Sequence, residues 1–343
     1  MLRKRNIGIL SPLLDGFYYG NLHYALHRHA QKRNVRLITV RMAEDWQPAL
    51  LLAREQVDGW VVLRRGVSDD YLRRLMDTGK PVVLIGRESD VCPTVRIAER
   101  DGMHQAVMHL IRHGHRRIAF IGDTEHRAMR ERFVGYREAL RKADIPYEPE
   151  LTIEPDRNHF EGGVEAADRI IAMNFPCTAV AASTDAIAFG FISRLREKGY
   201  RVPDDMAVVG FDDAGPAASH EPSLTTVAQP YEAIGETAID LILREIDGRH
   251  GGFGDRRQEA MNLPLELPVR LVVRESCGCN PADRVPSASG LSEKADMSIK
   301  ALNYLEQVIQ NNVEFGRLLF QSTKEGMQGL GRLLPPGVRW GLL

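Results

Sequence analysis

In the first hundred residues, short unbroken apolar runs alternate with longer stretches whose apolar positions fall three or four apart. The runs are Ile7–Leu10, Arg36–Val40, Gly59–Leu63 and Pro81–Ile85; the amphipathic stretches are Gly20–Lys32, Gln47–Gln56 and Ser68–Thr78. An apolar run without alternation predicts a strand covered on both faces, and the 3.6-residue period predicts a helix. Strands of that kind separated by helices belong to a parallel sheet with helices on either side. The pattern then restarts, with strands expected at Arg117–Ile121, Leu151–Ile153, Thr178–Ala181 and Met206–Gly210. Helices are expected at Met103–Arg112, Arg130–Lys142, Gly162–Met173 and Asp185–Lys198. Tyr231–Ile246 predicts one more helix, and Leu267–Glu275 a last strand. The fold class is therefore α/β, built as two doubly wound parallel-sheet lobes.

Beyond these units the composition changes. Pro281–Gly290 reads as a linker, and Ser292–Gln328 as a C-terminal helix with Leu302, Leu305 and Ile309 on one stripe. Asn312 and Gly316 interrupt that stripe, so it does not define a coiled coil. A length of 343 residues suits two lobes and an appendage. The net charge of −1 supplies no overall basic field to hold the chain on nucleic acid or anionic lipid. Three positive charges precede the apolar stretch Ile7–Leu14, as in a secretory signal. That stretch contains Gly8, Ser11 and Pro12 and leads to no small-residue cleavage site, so it reads as a buried first strand. No run approaches the ~20 apolar residues of a membrane span. The four cysteines show no paired metal-type spacing and suit a reducing cytoplasm, the expected location. No cofactor and no metal are expected.

Six stretches resemble the effector domain of the lactose/galactose-repressor family, which shares its fold with type I periplasmic binding proteins. They are His109–Ile121, Arg132–Leu140, Ala182–Gly190, Val209–Asp213, Pro222–Pro230 and Leu271–Gly278, in the family's order within Arg5–Cys277. The resemblance implies two lobes joined by three hinge crossovers, near Ala98–Asp101, Gln229–Pro230 and Leu263–Leu267. The N-terminal lobe is then 5–98 with 230–264, and the C-terminal lobe 99–229 with 265–278. A linker at 279–291 and a helical extension at 292–330 complete the chain. The ligand belongs between the lobes, in keeping with the rule that open α/β sheets bind at the carboxyl ends of their strands.

Arg132 matches the family position that grips the ligand, and a planar guanidinium suits vicinal hydroxyls or a carboxylate. An Arg132→Ala change is expected to abolish binding and leave the unliganded melting point nearly unchanged. Asp212 follows a strand and is placed to accept from ligand hydroxyls, while Asp213 is expected to cap the next turn. Thr184 stands where the family often has Asn; with Asp185 it also makes an N-cap signature. Gln229, at the second crossover, either touches ligand or ties the hinge. In the first lobe Asp15, Phe17 and Tyr18 follow strand one, where an aromatic either stacks on a sugar or base or enters the core. Phe160 lies where the family often supplies an aromatic. Ala98-Glu99 replaces the family's usual Asp-Asn at the first crossover.

Other features read as inert. His23 and His27 lack a third ligand, the Cys277-Gly278-Cys279 thiols read as buried, and Gly251–Gly254 lacks the Lys-Ser/Thr of a phosphate loop. No nucleophile or strand-end histidine accompanies the acids, so an enzyme is not expected. The expected function is a ligand-sensing regulator that closes on a small polar effector, sugars first and nucleosides or purines second. The homodimer common in the family is the expected assembly. The first strand begins at Asn6 without the family's helix-turn-helix ahead of it, so no autonomous DNA binding is expected. Two alternatives are the sensor module of a truncated diguanylate cyclase or histidine kinase, and a solute-binding protein for transport.

Overall fold

The computed structural model describes residues 4–14, 16–41, 56–63, 67–124, 127–156, 159–250 and 265–279. Asp15, most of the expected helix Gln47–Gln56, the glycine-rich loop, and the linker and helical extension from residue 280 onward lie outside the described residues.

The first sheet holds β1 (Asn6–Ser11), β2 (Arg36–Arg41), β3 (Gly59–Leu63), β4 (Val82–Ile85), β5 (Thr94–Ile97) and β11 (Leu265–Leu267). Its order is β11-β5-β4-β3-β1-β2, with every pairing parallel. The second holds β6 (Ile118–Ile121), β7 (Thr152–Ile153), β8 (Ala179–Ala182), β9 (Ala207–Asp212), β10 (Thr225–Ala228) and β12 (Arg270–Val272). Its order, β12-β10-β9-β8-β6-β7, repeats that of the first, and only the β10–β12 pair is antiparallel. β3, β4, β6 and β8 are buried along their whole length, as unbroken apolar runs require.

Seven described helices connect these strands: α1 (Phe17–Lys32), α2 (Asp69–Met76), α3 (Glu99–Arg112), α4 (Arg127–Lys142), α5 (Phe160–Ala172), α6 (Asp185–Glu197) and α7 (Tyr231–His250). Local chemistry sets their starts. Ser68 accepts from the Tyr71 amide at the head of α2, and Asp69 and Asp70 fill its first turn, where the helix dipole favours negative charge. None of the helices searched is long and apolar enough to cross a membrane among the described residues.

The chain passes between the two sheets three times. β5 leads into α3 at Ala98, and β10 leads at Gln229–Pro230 into α7, which packs on α1, β3 and β4 of the first lobe. The third passage differs from the expectation. Leu265–Leu267 pairs with β5, Leu267 opposite Ile97, so the passage falls at Pro268–Val269 and residues 265–267 belong to the first sheet. The expected single strand Leu267–Glu275 is two short strands in different sheets. Pro268 has no N–H to donate to a ladder, which ends one strand before the next begins. An apolar cluster runs from Ile7, Val61 and Val83 through Ile97 and Val269 to Met103 and Phe211, so the lobes share packing on the crossover side.

One close approach decides how the second lobe meets the crossovers. A Cβ on Gly135 of α4 would lie 2.1 Å from the backbone oxygen of Arg100 in α3. Only a residue without a side chain lets these helices come so near, and the contact is one residue from Glu99. In an open helix Gly→Ala stabilises by about 1 kcal/mol. Here Gly135→Ala is expected to destabilise by about 1–3 kcal/mol, because the methyl meets backbone that cannot rotate away. Urea unfolding measures the sign, and a variant more stable than the parent would show that the helices do not touch.

Candidate functional site

α4 delivers Arg132 to the carboxyl end of the second sheet, where its side chain is only 2% exposed. Its Nε donates to Glu99 Oε2 at 2.5 Å and its Nη1 to the Ser183 carbonyl at 2.5 Å. Nη1 also lies 3.4 Å from Asp212 Oδ1, and the guanidinium carbon sits 3.6 Å from the centre of the Phe211 ring. Burial works against the Arg132 charge, but the Glu99 and Asp212 carboxylates outweigh it and its pKa rises. Gln229 Nε2 donates to the same Asp212 oxygen at 2.6 Å, and the Tyr231 hydroxyl donates to the Asp212 carbonyl at 3.4 Å. Glu99 opens α3 just after the first crossover, and Gln229 stands at the second. The network therefore ties two of the three interlobe passages to one buried cation.

The backbone is strained where this network meets β9. Asp212 has φ 126° and Asp213 φ 50°, both in the left-handed range that glycine favours. Such a conformation costs of order 1–3 kcal/mol per residue and persists only where the surroundings hold it. Here they do. Arg274 Nη2 donates to Asp213 Oδ1 at 2.6 Å while its Nη1 donates to the Leu224 carbonyl at 2.7 Å. Asp213 was expected to cap the following turn; that turn, Gly215–Ala218, has no side-chain cap, and the carboxylate goes to Arg274 instead.

Thr184 is a helix cap, its Oγ1 accepting from the Ile187 amide at 3.3 Å, and its neighbour Ser183 supplies the carbonyl that Arg132 grips. Asp185 is wholly buried. It accepts from the Ala214 amide at 2.7 Å and from Thr226 Oγ1 at 2.5 Å. Burial first, and the Asp212 charge second, push its carboxyl up to about 8. Gly210 allows this placement, since a Cβ there would lie 2.3 Å from Asp185 Oδ1.

The first lobe contributes aromatic walls. Phe17 is 56% exposed, and a Cβ on Gly215 of the second lobe would meet its ring at 3.7 Å, so Phe17 faces across the crevice. Tyr18 packs edge-on against Tyr19 at 5.0 Å and against Tyr231 at 6.1 Å, which joins it to the network from behind. Phe160 opens α5 with its ring 44% exposed and its backbone oxygen against Gly190, on a neighbouring connection of the second lobe. His23 is a core-edge residue, its Nε2 3.0 Å from Ser11 Oγ and its pKa lowered to about 4 by burial. His27 pairs with Gln31.

Residues 107–277 match the family model described as a periplasmic binding protein-like domain. The chain is 36% identical over 280 residues to the HTH-type transcriptional repressor PurR of Vibrio atlanticus (strain LGP32), covering 79% of this chain and 81% of that protein. A solved LacI family transcriptional regulator from Enterococcus faecium with bound ribose superposes with a TM-score of 0.67 at 26% identity, over 79% of this chain and 98% of that one. The chain belongs to the LacI family. The transcriptional regulator CelR in complex with cellobiose gives a TM-score of 0.68 at 29% identity, over 80% of this chain and 86% of that one. This LacI-family chain is a ligand-sensing regulator with the two-lobed fold that its motifs implied.

Within that frame the structure joins Arg132, Asp212 and Gln229 by direct bonds, with Thr184 and Tyr18 one residue or one ring away. Asp15 lies outside the described residues. Glu99, Ser183, Phe211 and Tyr231 were not foreseen as members. The signal for Glu99 was present: an acid replacing the family's Asp-Asn, beside an arginine the same family uses. The guanidinium and the carboxylate both come from the second lobe. The expectation that Arg132→Ala leaves the unliganded protein unaffected is therefore corrected. Removing Arg132 takes from Glu99, whose side chain is 15% exposed, and from Asp212 the cation they share. A loss of about 3–5 kcal/mol is expected in urea unfolding without ligand, the usual effect of deleting one partner of a buried ion pair. A loss below about 1 kcal/mol would mean that Glu99 reaches water.

Asp185 generates a pH dependence with a definite sign. Folded, it holds its proton up to about 8, whereas an unfolded aspartate loses it near about 3.9. Between those values the folded state binds the extra proton, so stability falls as pH rises, by at most about 1.4 kcal/mol per unit. Asp185→Asn is expected to flatten the unfolding free energy between pH 5 and 8 relative to the parent. Parallel pH profiles would show that Asp185 is ionised in the fold.

Proposed function

We propose that this regulator binds a neutral, hydroxyl-rich effector of the sugar class, with nucleosides as the second class, against Arg132, Asp212 and Gln229. The observation that carries the proposal is the shared Asp212 oxygen, which holds both Arg132 and Gln229. A ligand hydroxyl donating to Asp212 competes with both groups and so acts on Gln229 at the second crossover and, through Arg132, on Glu99 at the first. A preference of about 1–3 kcal/mol for one lobe arrangement is enough to couple occupancy to an output surface. Phe17, exposed across the crevice, offers a ring face for the apolar side of a sugar or for a base. Ribose and cellobiose in the two solved relatives favour sugars. Those relatives are transcriptional regulators, which favours control of transcription over transport or a signalling relay.

A thermal-shift screen of sugars and nucleosides tests the proposal. A ligand present at 100-fold its Kd stabilises by about 2.7 kcal/mol. Asp212→Asn keeps the shape and an acceptor but loses the charge, so affinity for the best ligand is expected to drop about tenfold or more. A screen in which no sugar or nucleoside raises the melting point, or a variant that binds as the parent does, overturns the assignment.

A further inference from the structure

A second cluster stands at the far end of α3. His109 and His113 are one turn apart on the same face, with ring centres 4.5 Å apart. Against them comes Cys279, just past the turn Glu275–Cys277 that closes the second lobe. Its Sγ is 3.5 Å from His109 Nε2 and 3.2 Å from His113 Nε2, and the three ligand atoms all lie within 4.8 Å of one another. Cys277 Sγ lies 3.2 Å from the same His109 nitrogen and is held by the Thr225 hydroxyl, which donates to it, and by the Arg274 carbonyl.

Zinc bonds to imidazole nitrogen at about 2.0 Å and to thiolate at about 2.3 Å, so a tetrahedral ion sets its nitrogen and sulfur ligands about 3.5 Å apart. The two sulfur–nitrogen separations already have that spacing. The donor set is nitrogen and sulfur without a carboxylate, which fits a borderline-soft ion such as zinc and not calcium or magnesium. The C-terminal end of a helix also favours positive charge. No metal-type cysteine spacing marks these ligands along the chain, because the two histidines stand about 170 positions before Cys279.

We propose that His109, His113 and Cys279 form a zinc-binding site, with the fourth position open to water, that ties the end of the second lobe to α3. On binding, the Cys279 thiol loses its proton to solvent and the thiolate bonds to the ion. The site is separate from the effector crevice and does not depend on that reading.

Cobalt(II) is the probe. The full chain, reduced and stripped with a chelator, is titrated with Co2+ and followed by absorption. A thiolate-to-cobalt charge-transfer band together with tetrahedral visible bands is expected, saturating at one ion per chain and displaced by Zn2+. Cys279→Ser should remove the charge-transfer band, and His113→Ala should weaken cobalt binding at least tenfold, while His27→Ala leaves both unchanged. His113 is exposed and Cys279 only partly buried, so metal-free melting points near the parent's confirm folding. Absence of the charge-transfer band in the parent, or a Cys279→Ser titration that matches the parent's, overturns the site.

Discussion

A guanidinium withdrawn from water is the constraint around which the second lobe and its crossovers are arranged. Taking Arg132 out of solvent costs several kcal/mol, and only groups of opposite sign at hydrogen-bond distance offset it. Glu99 from α3, the Ser183 carbonyl from the end of β8, and Asp212 with the face of Phe211 from β9 meet that need. Two carboxylates against one cation leave the crevice with an excess negative charge, and Asp185 adds none while it keeps its proton. A site with that balance favours molecules rich in donors over anionic ones.

The surrounding structure is shaped to keep those partners close. Gly135 lets α4 approach α3 until Arg132 reaches Glu99, and Gly210 leaves room for the Asp185 carboxyl beneath β9. The left-handed backbone at Asp212 and Asp213 sends one carboxylate toward Arg132 and the next toward Arg274. The two arginines hold that strained turn in the single arrangement the fold requires. The apolar cluster shared across the crossover side limits the motion available to a hinge there, because close-packed interiors do not deform continuously.

Most of the architecture was legible along the chain because parallel strands buried on both faces leave long apolar runs, as at Gly59–Leu63 and Ile118–Ile121. What escaped was short or mixed. β5 and β10 carry threonine or arginine among their four residues, and β11 has only three. The Leu267–Glu275 run concealed a change of sheet because its apolar residues serve two different cores, and only Pro268 marks the join. At the site, Arg132, Asp212 and Gln229 stand in motifs and Glu99 in a departure from one, whereas nothing local marks the parts played by Ser183 and Tyr231. Their roles arise from proximity between distant segments, which no local pattern encodes. Tyr18 reads identically as core or as ligand contact until Tyr231 is seen packed against it.

α3 carries the Arg132 network at one end and the histidine–cysteine cluster at the other. Its fourteen residues span about 21 Å at 1.5 Å per residue. Glu99 stands in the first turn, where the unpaired amides favour an anion, and His109 and His113 stand at the last, where the unpaired carbonyls favour a cation. The negative end is bound into the Arg132 network and the histidine end touches the last turn of the second lobe. Because a helix transmits displacement as a rigid body, a shift of Glu99 relative to Arg132 must be taken up at Cys277–Cys279 or in the packing of α3 on α4. Gly135, where α4 comes closest to α3, meets the backbone of Arg100 beside Glu99, so the contact holds the negative end of α3 against α4.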